Sequence, residues 1–161
     1  MASIVAVLHN IRSTHNVGAI FRTADGAGIQ KIFLCGVTPP PVDRYGKKNP
    51  KIAKVALGAE DNIAWEKCAA IERLLPKLKK GGYKLWAIEQ DKKSVPYSSK
   101  KLSARGKIAL ILGTEVNGLP PAVLSQADAI LEIPMRGKKE SLNVSVAFGI
   151  VAYAVTSPDG G

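Results

Sequence analysis

Short runs of β-branched and other apolar residues alternate along this chain with segments in which apolar residues recur at the spacing of a helix face. Such an alternation is typical of an α/β domain with parallel strands. We therefore expect an α/β fold with a mostly parallel sheet flanked by helices. The predicted strands are Ile4 to Leu8, Lys31 to Cys35, Tyr83 to Ile88, Ile108 to Leu112 and Ala129 to Ile133.

Two helices are predicted between these strands. The first is indicated by four apolar residues at helical spacing: Val17, Ile20, Phe21 and Ala24. Asn16 is placed to cap its start, and Gly26 or Gly28 is placed to end it. The second helix is expected from about Asn62 to Lys80, where Gly81 and Gly82 would end it.

A final helix, predicted from about Asn143 to Val155, is the most apolar segment of the chain. Its apolar residues form one stripe through Phe148 and Val151 and a second stripe through Val146 and Ile150. Because the sheet of one subunit can cover only one side of a helix, we expect a partner subunit to cover the other, which predicts a homodimer. The alternative is a central helix buried entirely within its own chain.

The chain has 161 residues, of which 46% are hydrophobic, and these values suit one domain with one core. We expect a single domain over residues 1–157 and a short tail at 158–161. No stretch reaches the roughly 18 consecutive apolar residues of a membrane span, and the first residues lack the pattern of a signal peptide. A soluble, cytoplasmic protein without a membrane partner is therefore expected.

The 23 Lys and Arg residues outnumber the 13 Asp and Glu residues, which gives a net charge of +10. Such a charge favours a polyanionic partner such as nucleic acid. Much of it falls in two segments, residues 36–51 and 91–107, which would either follow a phosphate backbone or serve only as solvated loops. Cys35 and Cys68 stand far apart without clustered histidines, so we expect two reduced, packed thiols and no metal site.

Three segments combine glycine with small polar residues beside apolar runs. The first begins at Asn10, and on its helix Gly18 and Arg22 are one turn apart, which predicts open space beside a guanidinium for a phosphate or ribose. The second is a buried strand that ends in Gly113, where a ligand would approach the backbone, with Glu115 as the nearby polar residue.

The third segment leads from the last predicted strand into the final helix. Ser141, Asn143 and Ser145 lie at the start of that helix, where free backbone N–H groups and small polar side chains bind polar ligands. Each of the three segments also has an ordinary structural explanation, namely a surface arginine, a turn after a strand, and a helix cap. Taken singly, none of them identifies a site.

Together the segments NIRSTHNVGAIFRTA, LGTEVNGLP and IPMRGKKESLNVSVA resemble motifs one, two and three of the SpoU family within the SPOUT methyltransferase superfamily. They run from Asn10 to Ala147 and cover nearly the whole chain. The resemblance implies that the carboxyl-terminal part forms a deep trefoil knot, a rare exception among folds. It also implies that the knot loops bind S-adenosylmethionine and that two subunits pack their knotted regions together.

The resemblance further implies roles for individual residues. The residues matched to cofactor contacts are Gly113, Ile133, Leu142 and Ile88. The residues matched to the catalytic set are Arg22 together with the supporting polar residues Asn16, Glu115, Ser141 and Asn143. The chemistry implied is methylation of a ribose 2′-hydroxyl in RNA, for which the cofactor is already electrophilic and no metal is needed.

Arg22 would then either act as the base or stabilise the developing 2′-alkoxide, and the second role is physically at least as plausible because a guanidinium holds its proton tightly. A chain this short resembles the minimal members that modify transfer RNA, so tRNA is predicted ahead of rRNA. Two alternatives stay open. One is an RNA-binding module without catalysis, and the other is a SPOUT enzyme that methylates a base.

Overall fold

Seven strands form one sheet in the computed structural model, which describes residues 2–100, 102–114 and 116–157. The strands are β1 Ser3–His9, β2 Lys31–Cys35, β3 Ala64–Cys68, β4 Tyr83–Ile88, β5 Val95–Pro96, β6 Lys107–Leu112 and β7 Ala129–Glu132. Their order is β3-β2-β1-β6-β4-β7-β5, and every pairing between them is parallel. The predicted parallel α/β sheet is confirmed. The predicted tail, residues 158–161, lies outside the described residues.

Helices cover both faces of the sheet. They are α1 Thr14–Ala27, α2 Pro50–Ala56, α3 Ala59–Asn62, α4 Ile71–Lys80, α5 Pro121–Gln126 and α6 Val144–Thr156. Successive residues of β1 point to opposite faces, so Ala6 packs with α1, α2 and α6 while Val7 packs with α4 and α5. Because both faces are buried, β1 is apolar throughout its interior. None of the helices in the described ranges is long and apolar enough to cross a membrane.

The start of α1 differs from the prediction. Ser13, and not Asn16, is the N-cap, and its hydroxyl accepts a hydrogen bond from the Asn16 backbone N–H at 3.1 Å. The helix begins one turn before its apolar stripe, and the apolar pattern missed this turn because its residues are polar and at least partly exposed. Of the two glycines predicted to end α1, Gly28 terminates the helix, in the left-handed conformation with φ of 78°.

The predicted second helix is wrong in its first half. Residues 64–68 form β3, and α4 begins only at Ile71. β3 is an edge strand with mostly exposed side chains, so it lacks the apolar alternation that identifies a strand from sequence. It pairs in register with β2, and the Lys31 ammonium lies 2.9 Å from the Glu66 carboxylate across that pair.

The final helix is confirmed at α6, with Asn143 as its N-cap. Its first stripe is buried, whereas Val146 is 49% exposed and Tyr153 is 53% exposed. The sheet therefore covers only one side of this apolar helix, as expected. The trefoil knot implied by the family resemblance stays a prediction.

Candidate active site

A cavity that is partly open to solvent lies at the carboxyl ends of β4, β6 and β7. The carboxyl edge of a parallel sheet is the usual ligand site in α/β folds. The four residues predicted to contact a cofactor all line this cavity: Ile88, Gly113, Ile133 and Leu142. Residues from three distant parts of the sequence are thus brought to one place by the sheet topology.

The cavity lining combines apolar and polar residues. Leu112 and Leu131 at the strand ends and Val144 in the first turn of α6 supply apolar surface. Ser141, one of the predicted polar residues, and Glu89 belong to the polar part of the lining. This arrangement suits a ligand that carries both an apolar or aromatic part and charged or hydroxyl groups.

Sequence reasoning missed Glu89 and Gln90, which follow β4 directly and line the cavity. The Glu89 carboxylate accepts a hydrogen bond from the Leu119 backbone N–H at 2.8 Å, and the Gln90 side-chain amide donates to the Glu140 carbonyl. These bonds tie the β4 end to the loops of the second and third segments. The same rule that identified Gly113, a position just after a buried strand, would have identified both residues.

Gly113 is required by its own loop. A Cβ at this position would lie 2.8 Å from the Gly118 carbonyl oxygen and 2.8 Å from the Leu119 side chain. The loop folds back because the Gly118 N–H donates to the Thr114 carbonyl at 2.9 Å. Gly113 lines the cavity as predicted, but the missing side chain makes room for the loop. Glu115, which was predicted to be catalytic, lies outside the described residues.

Two predicted polar residues from opposite ends of the chain are in contact. The Asn143 side-chain amide donates to the Asn16 side-chain oxygen at 3.2 Å. The Asn143 side-chain oxygen also accepts from the Ser145 backbone N–H at 2.9 Å, which caps α6. The first and third segments therefore meet where α1 and α6 begin side by side, next to the cavity.

Arg22 is exposed on α1 and is not among the residues that line the cavity of its own chain. It lies one helical turn from both Gly18 and Gly26. A Cβ on Gly18 would lie 2.8 Å from the Ile52 carbonyl oxygen of α2, so the predicted open space at Gly18 is filled by that helix. On Gly26, a Cβ would lie 2.6 Å from the Tyr153 hydroxyl of α6. Arg22 is thus an exposed residue between one glycine that contacts α2 and another that contacts α6.

Three other titratable groups, at the carboxyl ends of β1 to β3, do not line the cavity. Both cysteines are free thiols; burial raises the pKa of Cys35, and the Cys68 thiol donates to the Ala70 carbonyl at 3.3 Å. His9 is half-buried, and burial lowers its pKa, although the Glu72 carboxylate opposes that effect. Across the described ranges, no three potential metal ligands are grouped together.

Known proteins are similar to this chain in sequence over most of its length. The model of the SpoU rRNA Methylase family matches residues 3–153. The 23S rRNA (guanosine-2′-O-)-methyltransferase RlmB of Xanthomonas axonopodis is 32% identical over 151 residues, which are 94% of this chain and 57% of that protein. The chain thus spans little more than half the length of this relative.

Solved structures share the fold. The AdoMet-bound rRNA methyltransferase of Sinorhizobium meliloti is 27% identical, with a TM-score of 0.85 over 95% of this chain and 55% of that chain. A second solved structure, which concerns the 2-OH methylation of C/U34 on tRNA, is 25% identical. Its TM-score is 0.78 over 95% of this chain and 93% of that chain. Of these two solved structures, one is described with rRNA and the other with tRNA.

Proposed function

This chain belongs to the SpoU rRNA methylase family, and we propose that it transfers the methyl group of S-adenosylmethionine to a ribose 2′-hydroxyl of RNA. The observation that carries the proposal is the convergence of the three sequence segments at one sheet edge. Gly113 and Leu142 line one cavity, and Asn143 at its side bonds Asn16. The net charge of +10 suits an RNA substrate.

The cavity residues fit S-adenosylmethionine. Apolar surface from Leu112, Leu131 and Ile133 suits an adenine ring, while Glu89 and Ser141 offer an acceptor and a hydroxyl for its polar groups. When bound, the cofactor supplies a methyl group that is already electrophilic. The task of the protein is then to exclude water, to align the ribose hydroxyl and to stabilise its negative charge as the proton leaves.

Arg22 is the proposed stabiliser of that charge. Because it is exposed and does not line the cavity of its own chain, we propose that it acts on the cavity of a second subunit. The exposed stripe of α6 supports this arrangement, because that helix contacts α1 through Gly149 on one side and lines the cavity with Ala147 on the other. Symmetric packing of α6 against α6 would therefore bring the partner subunit's Arg22 toward this cavity.

The proposed dimer makes a testable prediction. Val146→Asp places a carboxylate in the exposed apolar stripe of α6, so it is expected to convert a dimer into a monomer and to abolish methyl transfer, since burying an unpaired charge is costly. Sedimentation velocity measures the oligomeric state. Val37→Asp is the matched control because Val37 is equally exposed, at 52%, on a loop away from α6. A dimeric, active Val146→Asp protein would contradict the proposal.

Transfer RNA is the proposed substrate class. Support comes from the relative that was described for C/U34 methylation on tRNA, which this chain matches over 93% of that protein's length. The second candidate is ribosomal RNA, favoured by the 32% identity to a 23S rRNA enzyme. Both candidates require the same ribose chemistry.

The deciding experiment is incubation of the protein with methyl-labelled S-adenosylmethionine and separated tRNA and rRNA pools, followed by mapping of the labelled nucleotide. We expect label in tRNA, on a nucleoside whose ribose carries the methyl group. Label on a base would identify a base methyltransferase. Calorimetric titration that finds no binding of S-adenosylmethionine would favour an RNA-binding module without catalysis.

A further inference from the structure

Residues 41–49, here called the tip, form an ordered hairpin-like loop that presents an aromatic side chain to solvent. Val42 pairs with Lys48 in an antiparallel bridge, and the Asn49 N–H donates to the Pro41 carbonyl at 2.8 Å. Inside the tip, one oxygen of the Asp43 carboxylate accepts hydrogen bonds from the backbone N–H groups of residues 45 and 47, both at 2.9 Å. The tip is therefore held in shape by its own bonds.

Tyr45 at the end of the tip is 79% exposed. Large aromatic residues exposed on ordered loops are typical of binding surfaces, since leaving them in water forgoes the free energy of burial. The Arg44 guanidinium lies 4.9 Å from the centre of the Tyr45 ring. One face of the ring is thus paired with a cation, and the other can receive a flat partner. Lys47 and Lys51, both exposed, add positive charge beside it.

The tip is well placed relative to the candidate active site. It follows β2, whose carboxyl end lies at the same sheet edge as the cavity, and β2 is three strand positions from β4. At about 4.8 Å for each strand position, the carboxyl ends of β2 and β4 are about 14 Å apart, a few nucleotides of RNA. Asn49 caps α2, which packs on α1 at Gly18, one turn from Arg22. The tip is therefore tied to the helix that carries the proposed catalytic residue.

We propose that the tip binds an unpaired nucleotide of the RNA substrate, whose base stacks on Tyr45 while Arg44 and Lys47 contact the adjacent phosphates. Single-stranded RNA is recognised mainly by such stacking on aromatic side chains, combined with basic groups that follow the backbone. A duplex keeps its bases stacked inside and offers no base to the ring. The inference rests on the proposed function only in taking RNA as the substrate.

The test compares Tyr45→Ala with Tyr45→Phe, which retains the ring. Fluorescence anisotropy measures binding of a short labelled oligouridine and of a short RNA duplex. We expect Tyr45→Ala to weaken oligouridine binding by about 5- to 100-fold and to leave duplex binding nearly unchanged, while Tyr45→Phe binds like the wild type. In the methyl-transfer assay, with the RNA that the wild-type protein methylates as substrate, KM should rise for Tyr45→Ala, with kcat little changed. For Arg44→Gln, the slope of the logarithm of the binding constant against the logarithm of the salt concentration should decrease by about one, which corresponds to one phosphate contact fewer.

The possible results distinguish the stacking role of Tyr45 from the proposed methyltransferase function. Wild-type oligouridine affinity for Tyr45→Ala, or an equal loss for oligouridine and duplex, overturns the stacking role even if the wild-type protein methylates RNA. If Tyr45→Ala loses self-association but keeps RNA binding, the tip is a protein contact and the stacking role is overturned as well. If the wild-type protein methylates no RNA but Tyr45→Ala still loses oligouridine binding, the proposed function fails and the tip assignment stands. Thermal melts confirm that each variant is folded.

Discussion

Arg22→Ala is expected to lower methyl transfer by about 10²- to 10³-fold and to leave the affinity for S-adenosylmethionine unchanged, because a group that stabilises developing charge contributes mainly in the transition state. The structure gives this separation a physical basis. Arg22 is exposed on α1, and the cavity of its own chain is lined by other residues. Stability should also be unaffected, since an exposed side chain contributes little to packing.

Single-turnover kinetics measure the transfer step, and calorimetric titration measures cofactor affinity. Arg73→Ala is the matched control because it removes an exposed arginine from α4, on the opposite face of the sheet. Arg22→Lys keeps the charge but not the planar fork of donors, so it should recover only part of the rate. Loss of cofactor affinity together with the rate in Arg22→Ala would refute the assignment.

Mixed dimers test whether Arg22 acts across the subunit interface. When Arg22→Ala subunits are combined with Gly113→Ala subunits, each mixed dimer has one intact cavity, and the only intact Arg22 lies on the other subunit. Activity should reappear on mixing if that arginine acts across the interface. If Arg22 acts on the cavity of its own chain, the mixture stays as inactive as its components.

Gly113→Ala is expected to lower cofactor affinity by more than 10-fold and the free energy of unfolding by about 1 to 3 kcal/mol, the usual cost of overpacking. The new methyl group would lie 2.8 Å from the Gly118 carbonyl oxygen. The Gly118 backbone cannot relieve this contact unless the loop after Gly113 moves. The loop is also held by the bond from the Leu119 N–H to the Glu89 carboxylate, so its displacement disturbs a second part of the cavity wall.

Gly137→Ala is the matched control for this prediction. Gly137 belongs to the third motif, yet a Cβ there meets no described atom within 4 Å. It should change neither cofactor affinity, measured by calorimetric titration, nor the midpoint of urea denaturation. Wild-type affinity in Gly113→Ala would show that the loop adapts and that the close packing around Gly113 does not shape the cofactor site.

The sequence alone predicted the strands and helix ends that depend on residues close together in the chain. The buried strands β1, β2, β4 and β6 were predicted to within about a residue at each end, because continuous apolar runs are what a sheet covered on both faces requires. Gly28 is one of the two glycines predicted to end α1, and Asn143 is one of the polar residues at the predicted start of α6; both act through chemistry confined to a few neighbouring residues. Gly113 just after β6 was identified from the rule that ligands bind at the carboxyl edge of a parallel sheet, whereas Glu89 and Gln90 after β4 were missed although the same rule applies to them.

The tertiary structure alone decided which neighbour fills a given space. Edge strand β3 carries no apolar pattern, so only its pairing with β2 identifies it. Gly18 looked like an opening for a ligand, but it is the contact point of α2, and the exposed position of Arg22 depends on how α1 packs against α2 and α6. The physical reason is that periodicity and capping depend on residues close in the chain, whereas filled space depends on residues brought together from far apart.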